Sequence, residues 1–391
     1  MTTRRNLLVA ALATGIVVPL GAGRASAAPD RAGLPRLTLP RPTGPHRIGS
    51  VALHLVDRSR PDPVAGAGHH RSLMATVCYP AARDDRRYPA APWLSAAATH
   101  ALLVGNEFPA DVVAAPLTAG QVGAPVLRDS GRRPVIVYSH GNNSHRGEAT
   151  IVVQQLVSHG YVVVSIDHTY DAYSELSNGR LTVPEDELEF TPWDSAYDMR
   201  FLLDRLEDLA AGRNPDAGRR QLPAGLGAVL DLRRIGMAGW SKGATSTAIV
   251  LNQDRRVRAG LALDGPMQAV PPPDVVDRPF MMMTAEFTRV AEPSVEDFWR
   301  HYLTGWKLNV QADGAAHSSY CDHQWLLPQL AQAIGMSDEE LAGWVGTLDP
   351  GRGVRIQQAY PLAFFDLHLR NRRQRLLEGP SAAFPEVQFL P

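Results

Sequence analysis

Short apolar runs recur along most of this chain, and from residue 133 onward they are nearly continuous rather than alternating. "RPVIVYSHG" (133–141), "YVVVSIDH" (161–168), "RRIGMAGW" (233–240), "AGLALDG" (259–265), "RPFMMMTAE" (278–286) and "WKLNVQADG" (306–314) have the pattern of strands buried on both faces. Two earlier runs, 48–57 and 71–80, are also of β type. Between them lie stretches with a helical period: 147–158, 191–210 and 242–252. In 191–210, Met199, Leu202, Leu203, Leu206, Leu209 and Ala210 share one face. A helical tail follows the last run, strongest over 360–377. Strands alternating with helices predict an α/β fold, a mostly parallel sheet with helices on both faces.

The ends and one insertion depart from that rhythm. Residues 1–27 join a basic start, an apolar run from Leu7 to Leu20 and the small-residue sequence Ala25-Ser26-Ala27. That is the pattern of an export signal, and the Arg4-Arg5 pair fits a twin-arginine variant. The run is short for a bilayer span and no later stretch reads as one, so the expected product is secreted, without a stable membrane span. Residues 28–45 are rich in proline and glycine and predict an extended lead-in; residues 46–391 read as a single domain. The apolar segment 90–120 has no strand period. It reads either as a peripheral helical hairpin or as a lid or pocket wall offering Pro92, Trp93, Leu94 and Phe108 to an apolar substrate. A formal net charge of −1 excludes the dense basic face of a nucleic-acid binder. The two cysteines, Cys78 and Cys321, are compatible with a disulfide or with two unpaired thiols.

The chemistry concentrates at "GMAGWSKGATST" (236–247), where strand 233–240 runs into Ser241 and a helix begins directly afterwards. Gly-x-Ser-x-Gly in that setting is a nucleophile elbow. A phosphate loop would need the order Gly-Lys-Ser/Thr, and a serine–lysine dyad would place its lysine a helical turn onward. An activated serine needs a base, and His317 follows the last strand, where this fold keeps its histidine. The nearby His323 falls within a helix-like stretch, and His69-His70 and Asp322/His323 lack the spacing of a metal site. Two acids end strands between Ser241 and His317, and position alone favours Glu286 slightly over Asp264. The oxyanion donors would be the Lys242 N–H and one from "SHGNNSHR", where Asn142 follows His140-Gly141.

Taken together, "PVIVYSHGNNSHRGEATIVVQQLVSHGYVVVSIDH" (134–168), "GWSKGA" (239–244), "LALDGPM" (261–267) and "AAHSSYCD" (315–322) resemble the secreted and group-VII-type platelet-activating factor acetylhydrolases and their bacterial relatives. The resemblance covers about residues 70–325 and implies an α/β-hydrolase fold. It also implies a serine esterase that forms an acyl-enzyme on short-acyl esters or phospholipids, with no metal or cofactor. It moves the acid from Glu286 to Asp264, giving Ser241, Asp264 and His317, and maps the oxyanion positions onto Asn142 and Lys242. A polyester-degrading esterase, a general lipase, an amidase, or a non-catalytic binding protein could use the same scaffold. Trp240, Lys242 and Gly243-Ala244 depart from that family's common residues around the serine, which implies an altered pocket at the acyl carbonyl.

Overall fold

The computed structural model describes residues 33–84, 87–129 and 131–391, so the expected export segment lies outside the described residues. The strands, in chain order, begin with β1 (Arg47–Asp62), β2 (Gly66–Ala81), β3 (Ala90–Pro92), β4 (Leu117–Val122), β5 (Arg133–Ser139) and β6 (Val162–Asp167). They continue with β7 (Ser174–Glu175), β8 (Leu181–Thr182), β9 (Leu230–Trp240), β10 (Val257–Leu263), β11 (Phe280–Thr284), β12 (Lys307–Ala312) and β13 (Val387–Leu390). Among the described residues, eleven of them join one sheet in the order β13-β12-β11-β10-β9-β5-β6-β2-β1-β4-β3, and β7 pairs with β8 separately. From β6 to β12 every neighbouring pair is parallel. Each position of β5, β6 and β11 is buried, which is why their sequences do not alternate. This is the α/β-hydrolase architecture.

The helices are α1 (Ala96–Gly105), α2 (Thr150–Ser158), α3 (Pro192–Ala210), α4 (Lys242–Gln253), α5 (Pro293–Asp297), α6 (His323–Ile334), α7 (Asp338–Val345) and α8 (Pro350–Arg370). Two apolar layers sandwich the sheet. On one face Met199, Leu202 and Leu206 of α3 pack with Ala248 and Ile249 of α4. On the other, Val152 and Leu156 of α2 meet Tyr360, Phe364 and Phe365 of α8. Each such fully buried large side chain contributes about 1.5–3 kcal/mol relative to exposure. No helix among the described residues is long and apolar enough to cross a membrane.

The eight expected strands are all present, and the differences have local causes. Helix α8 starts at Pro350, ten residues ahead of the strong apolar period at 360. Asp349 caps it by accepting from Arg352 N, and Gly353 lets it approach Gln324 closely, where a Cβ would lie 2.8 Å from Cγ. It stops at Asn371, whose φ of 54° is the left-handed cap. Segment 90–120 is not a helical hairpin: one helix, α1, is flanked by β3 and β4, and β4 extends the sheet alongside β1. The open β1 edge supplies hydrogen-bond partners that two helices would have left unused. The lead-in from residue 33 onward lies against this segment, Leu37 N donating to Ala114 O at 3.0 Å. Cys78 and Cys321 are unpaired thiols, so no disulfide joins them.

Candidate active site

Strand β9 delivers Ser241 into a sharp turn with φ 55° and ψ −121°, and α4 begins at the next residue. Such a conformation is costly for a non-glycine residue and survives only where its surroundings fix it. Here they do: Ser241 N donates to Leu263 O at 2.9 Å. A Cβ at Gly239 would collide with the Gly243 carbonyl, and one at Gly243 with the Ser139 carbonyl. Both glycines are required by close backbone approach.

The other predicted groups come from the ends of neighbouring strands. His317 opens a short 3-10 turn after β12, with Nε2 3.0 Å from Ser241 Oγ and Nδ1 2.7 Å from Asp264 Oδ2. With Nδ1–H donated to the carboxylate, Nε2 is left to accept the serine hydroxyl. Asp264 is fully buried just beyond β10, in a left-handed conformation with φ 43°. Its oxygens also accept from Ala285 N at 2.6 Å, Phe287 N at 3.0 Å and Glu286 N at 3.2 Å. Glu286, the other candidate acid, does not face the imidazole nitrogens; its Oε1 accepts His317 N at 3.2 Å. Trp240 stacks on the His317 ring with centroids 4.5 Å apart and donates Nε1–H to His317 O at 2.9 Å. Phe287 meets the same ring edge-on at 5.0 Å. This arrangement can take a proton from Ser241 and stabilise the imidazolium that results.

The loop after β5 passes beside the serine, where a Cβ on Gly141 would sit 3.1 Å from Ser241 Cβ. Among the described residues, the backbone N–H groups of Asn142 and Lys242 have no protein acceptor. Buried Glu148 holds the loop, accepting Gly141 N at 3.0 Å and the Tyr138 hydroxyl at 2.7 Å; burial pushes its carboxyl up to about 8. A second serine–histidine–aspartate chain, invisible in the sequence, lies beneath. Ser139 Oγ is 2.9 Å from His168 Nε2, whose Nδ1 is 3.0 Å from Asp198 Oδ2. All three side chains are buried at 0 % exposure and Asp198 pairs with Arg71, so this chain supports the loop and meets no substrate.

The remaining predicted residues fall into two places. Trp93 and Phe108 help line an apolar cavity of about 80 Å³ between α1 and α6, and His323 also reaches it. Leu94 packs with Trp93 and Leu326 in the same apolar layer. His323 contacts Trp240 edge-on at 6.0 Å, and burial lowers it to about 4, so it is a neutral packing group. Lys242 is buried, its Nζ 2.6 Å from Asp171 Oδ1, 2.9 Å from Asn142 Oδ1 and 3.0 Å from Phe190 O. Asp171 and Phe190 had no signal in the sequence beyond the rarity of lysine, which occurs only at 242 and 307.

The family model for "Platelet-activating factor acetylhydrolase, isoform II" matches residues 32–177. A probable 1-alkyl-2-acetylglycerophosphocholine esterase of Arthroderma benhamiae is 25% identical over 90% of this chain and 93% of its own. The platelet-activating factor acetylhydrolase of Cavia porcellus is 22% identical over 78% of this chain and 74% of its own. A solved ferulic acid esterase from Streptomyces cinnamoneus superposes with a TM-score of 0.77 and 32% identity, covering 91% of this chain and 99% of that one. The family match and these relatives place the chain's similarity with the platelet-activating factor acetylhydrolases. With esterases and acetylhydrolases among its relatives, the chain is a serine-type carboxylic ester hydrolase.

Proposed function

We propose that Ser241 attacks an ester carbonyl while His317 takes its proton and Asp264 holds the imidazolium. The Asn142 and Lys242 amides receive the developing oxyanion, His317 returns the proton to the leaving alcohol, and water then hydrolyses the acyl-enzyme. The observation that carries this reading is the continuous chain from Ser241 Oγ through His317 to Asp264, at 3.0 and 2.7 Å, mounted on an elbow at φ 55°. The substrates are short-acyl esters, including the acetyl group of ether glycerophospholipids. The named acetylhydrolase relatives support that class. The basic–apolar–small pattern of residues 1–27 supports export to the extracellular space.

Ser241→Ala is expected to abolish hydrolysis of short p-nitrophenyl esters while the melting temperature stays near wild type. Undiminished hydrolysis by that variant would remove the serine assignment. The solved ferulic acid esterase favours a second reading, in which the acyl group is a hydroxycinnamate. One panel separates the two: kcat/KM for acetyl to decanoyl esters and an acetylated ether phospholipid, against methyl ferulate.

A further inference from the structure

The oxyanion loop has a weakness that the proposed mechanism must overcome. Asn142 and Asn143 are exposed at its tip, and Asn143 sits in the left-handed region at φ 52°. An amide kept free for an oxyanion cannot also anchor its own loop, so the anchoring must come from elsewhere. Glu148 holds the loop's base at Gly141, and its tip is held by one buried ion pair. Lys242 Nζ donates to the Asn142 side chain at 2.9 Å, and Asp171 Oδ1 accepts both Lys242 Nζ at 2.6 Å and Asn143 N at 3.2 Å. With Phe190 O at 3.0 Å, the three ammonium donors have three acceptors. The Phe190 ring lies 5.0 Å from Nζ and covers the group.

Resting on the reading of Ser241 as nucleophile, we infer that the Lys242 side chain is a positioning residue, paired with Asp171, that fixes the distance between the two oxyanion amides. Lys242 supplies one amide from its own backbone, and its ammonium grips the side chain of the residue that supplies the other. The nucleophile's neighbour therefore spans the hole it helps to form. A buried ion pair is weak support for stability, because desolvating both charges offsets most of their attraction. A role in geometry explains its position better. Hydrolysis depends on where the donors stand when negative charge develops, and a misplacement of about 1 Å can cost about 100-fold in rate.

The test uses Lys242→Met, which keeps the stem and the backbone N–H, together with Asn142→Ala, an exposed change, and the double variant. Each is assayed on p-nitrophenyl acetate and titrated with an alkylboronic acid, whose tetrahedral adduct on Ser241 places an oxygen in the hole. The expected result for either single variant is a kcat lower by about 10- to 100-fold, with KM within about threefold. Boronate affinity should fall by a factor similar to that in kcat. The double variant should be within about threefold of the worse single variant, as for two changes to one contact. A kcat within twofold of wild type in Asn142→Ala overturns the inference, as does a double variant whose losses multiply. If Lys242→Met does not melt cooperatively, Asn142→Ala alone decides by its kcat and boronate affinity. Fluorophosphonate labelling of Ser241 in the wild type separates the two levels. Failure to label removes the nucleophile assignment, whereas labelling together with unaffected variants removes only the positioning role.

Discussion

At the scale of single residues, the orientation of one carboxylate favours Asp264 over Glu286, the acid to which strand position alone leaned. Strands β10 and β11 both run into an acid, so the order of serine, acid and histidine is met by either. What distinguishes them is the left-handed backbone at Asp264, which turns its carboxylate across the end of β11 to meet three N–H groups and His317 Nδ1. Asn at this position would turn an amide NH2 toward one set of donors and disturb the imidazole tautomer. Asp264→Asn is therefore expected to lower kcat by about 10³–10⁴-fold. Glu286→Gln keeps an acceptor for His317 N and should stay within about threefold. Both are read from kcat on p-nitrophenyl acetate, and the reverse order would transfer the acid's role to Glu286. Ser241 and His317 were legible because a strand end and a turn locate each of them. The partners of Lys242 were not, because Asp171 and Phe190 reach it from a separate loop whose course no local pattern specifies.

At the scale of elements, the insertion is tied to the core through the start of a helix. The N-cap of helix α2 is Ala149, which has no side-chain acceptor to cap it. Asp322 serves instead from a distant turn: its oxygens accept Thr150 N and Ile151 N, each at 2.9 Å, and the Trp93 indole N–H at 2.8 Å. Trp93→Phe removes one donor and is expected to destabilise the protein by about 1–2 kcal/mol. Asp322→Ala strands all three and should cost about 2–4 kcal/mol. Urea midpoints should fall in that order with an unchanged slope, and equal midpoints would mean that the insertion is held by packing alone. Long elements were legible here because a period of 3.6, or an unbroken apolar run, needs only burial to explain it. Strands β3, β4 and β13 span three to six residues and exist because a sheet edge accepts them. The glycines at 351 and 353 likewise hid the start of α8 from any propensity argument.

At the scale of the whole molecule, buried titratable groups of opposite kinds set a narrow range of pH. His140, His145, His168 and His323 are all held below their ordinary value of 6.5, chiefly by burial, His140 and His323 to about 4. They are neutral in the fold and take up protons on unfolding. The stability they contribute is present above about pH 6.5 and is lost as pH falls toward 4. Glu148 and Asp322 behave oppositely: burial raises them to about 8 and about 7 from 4.5 and 3.8. Their contribution is complete below their ordinary values and is lost as pH rises through 7 to 8. Each unmatched proton changes stability by about 1.4 kcal/mol per pH unit, so four histidines outweigh two acids on the acid side, and the acids alone act above neutrality. Thermal melts across pH should therefore peak at about pH 6.5–7 and fall on both sides. Glu148→Gln, which remains neutral at every pH, should flatten the alkaline limb and leave the acid limb in place. A melting temperature that climbs steadily to pH 9 in the wild type would mean that both carboxyls are ionised inside the fold, with the N–H groups on Asp322 and Glu148 outweighing their burial.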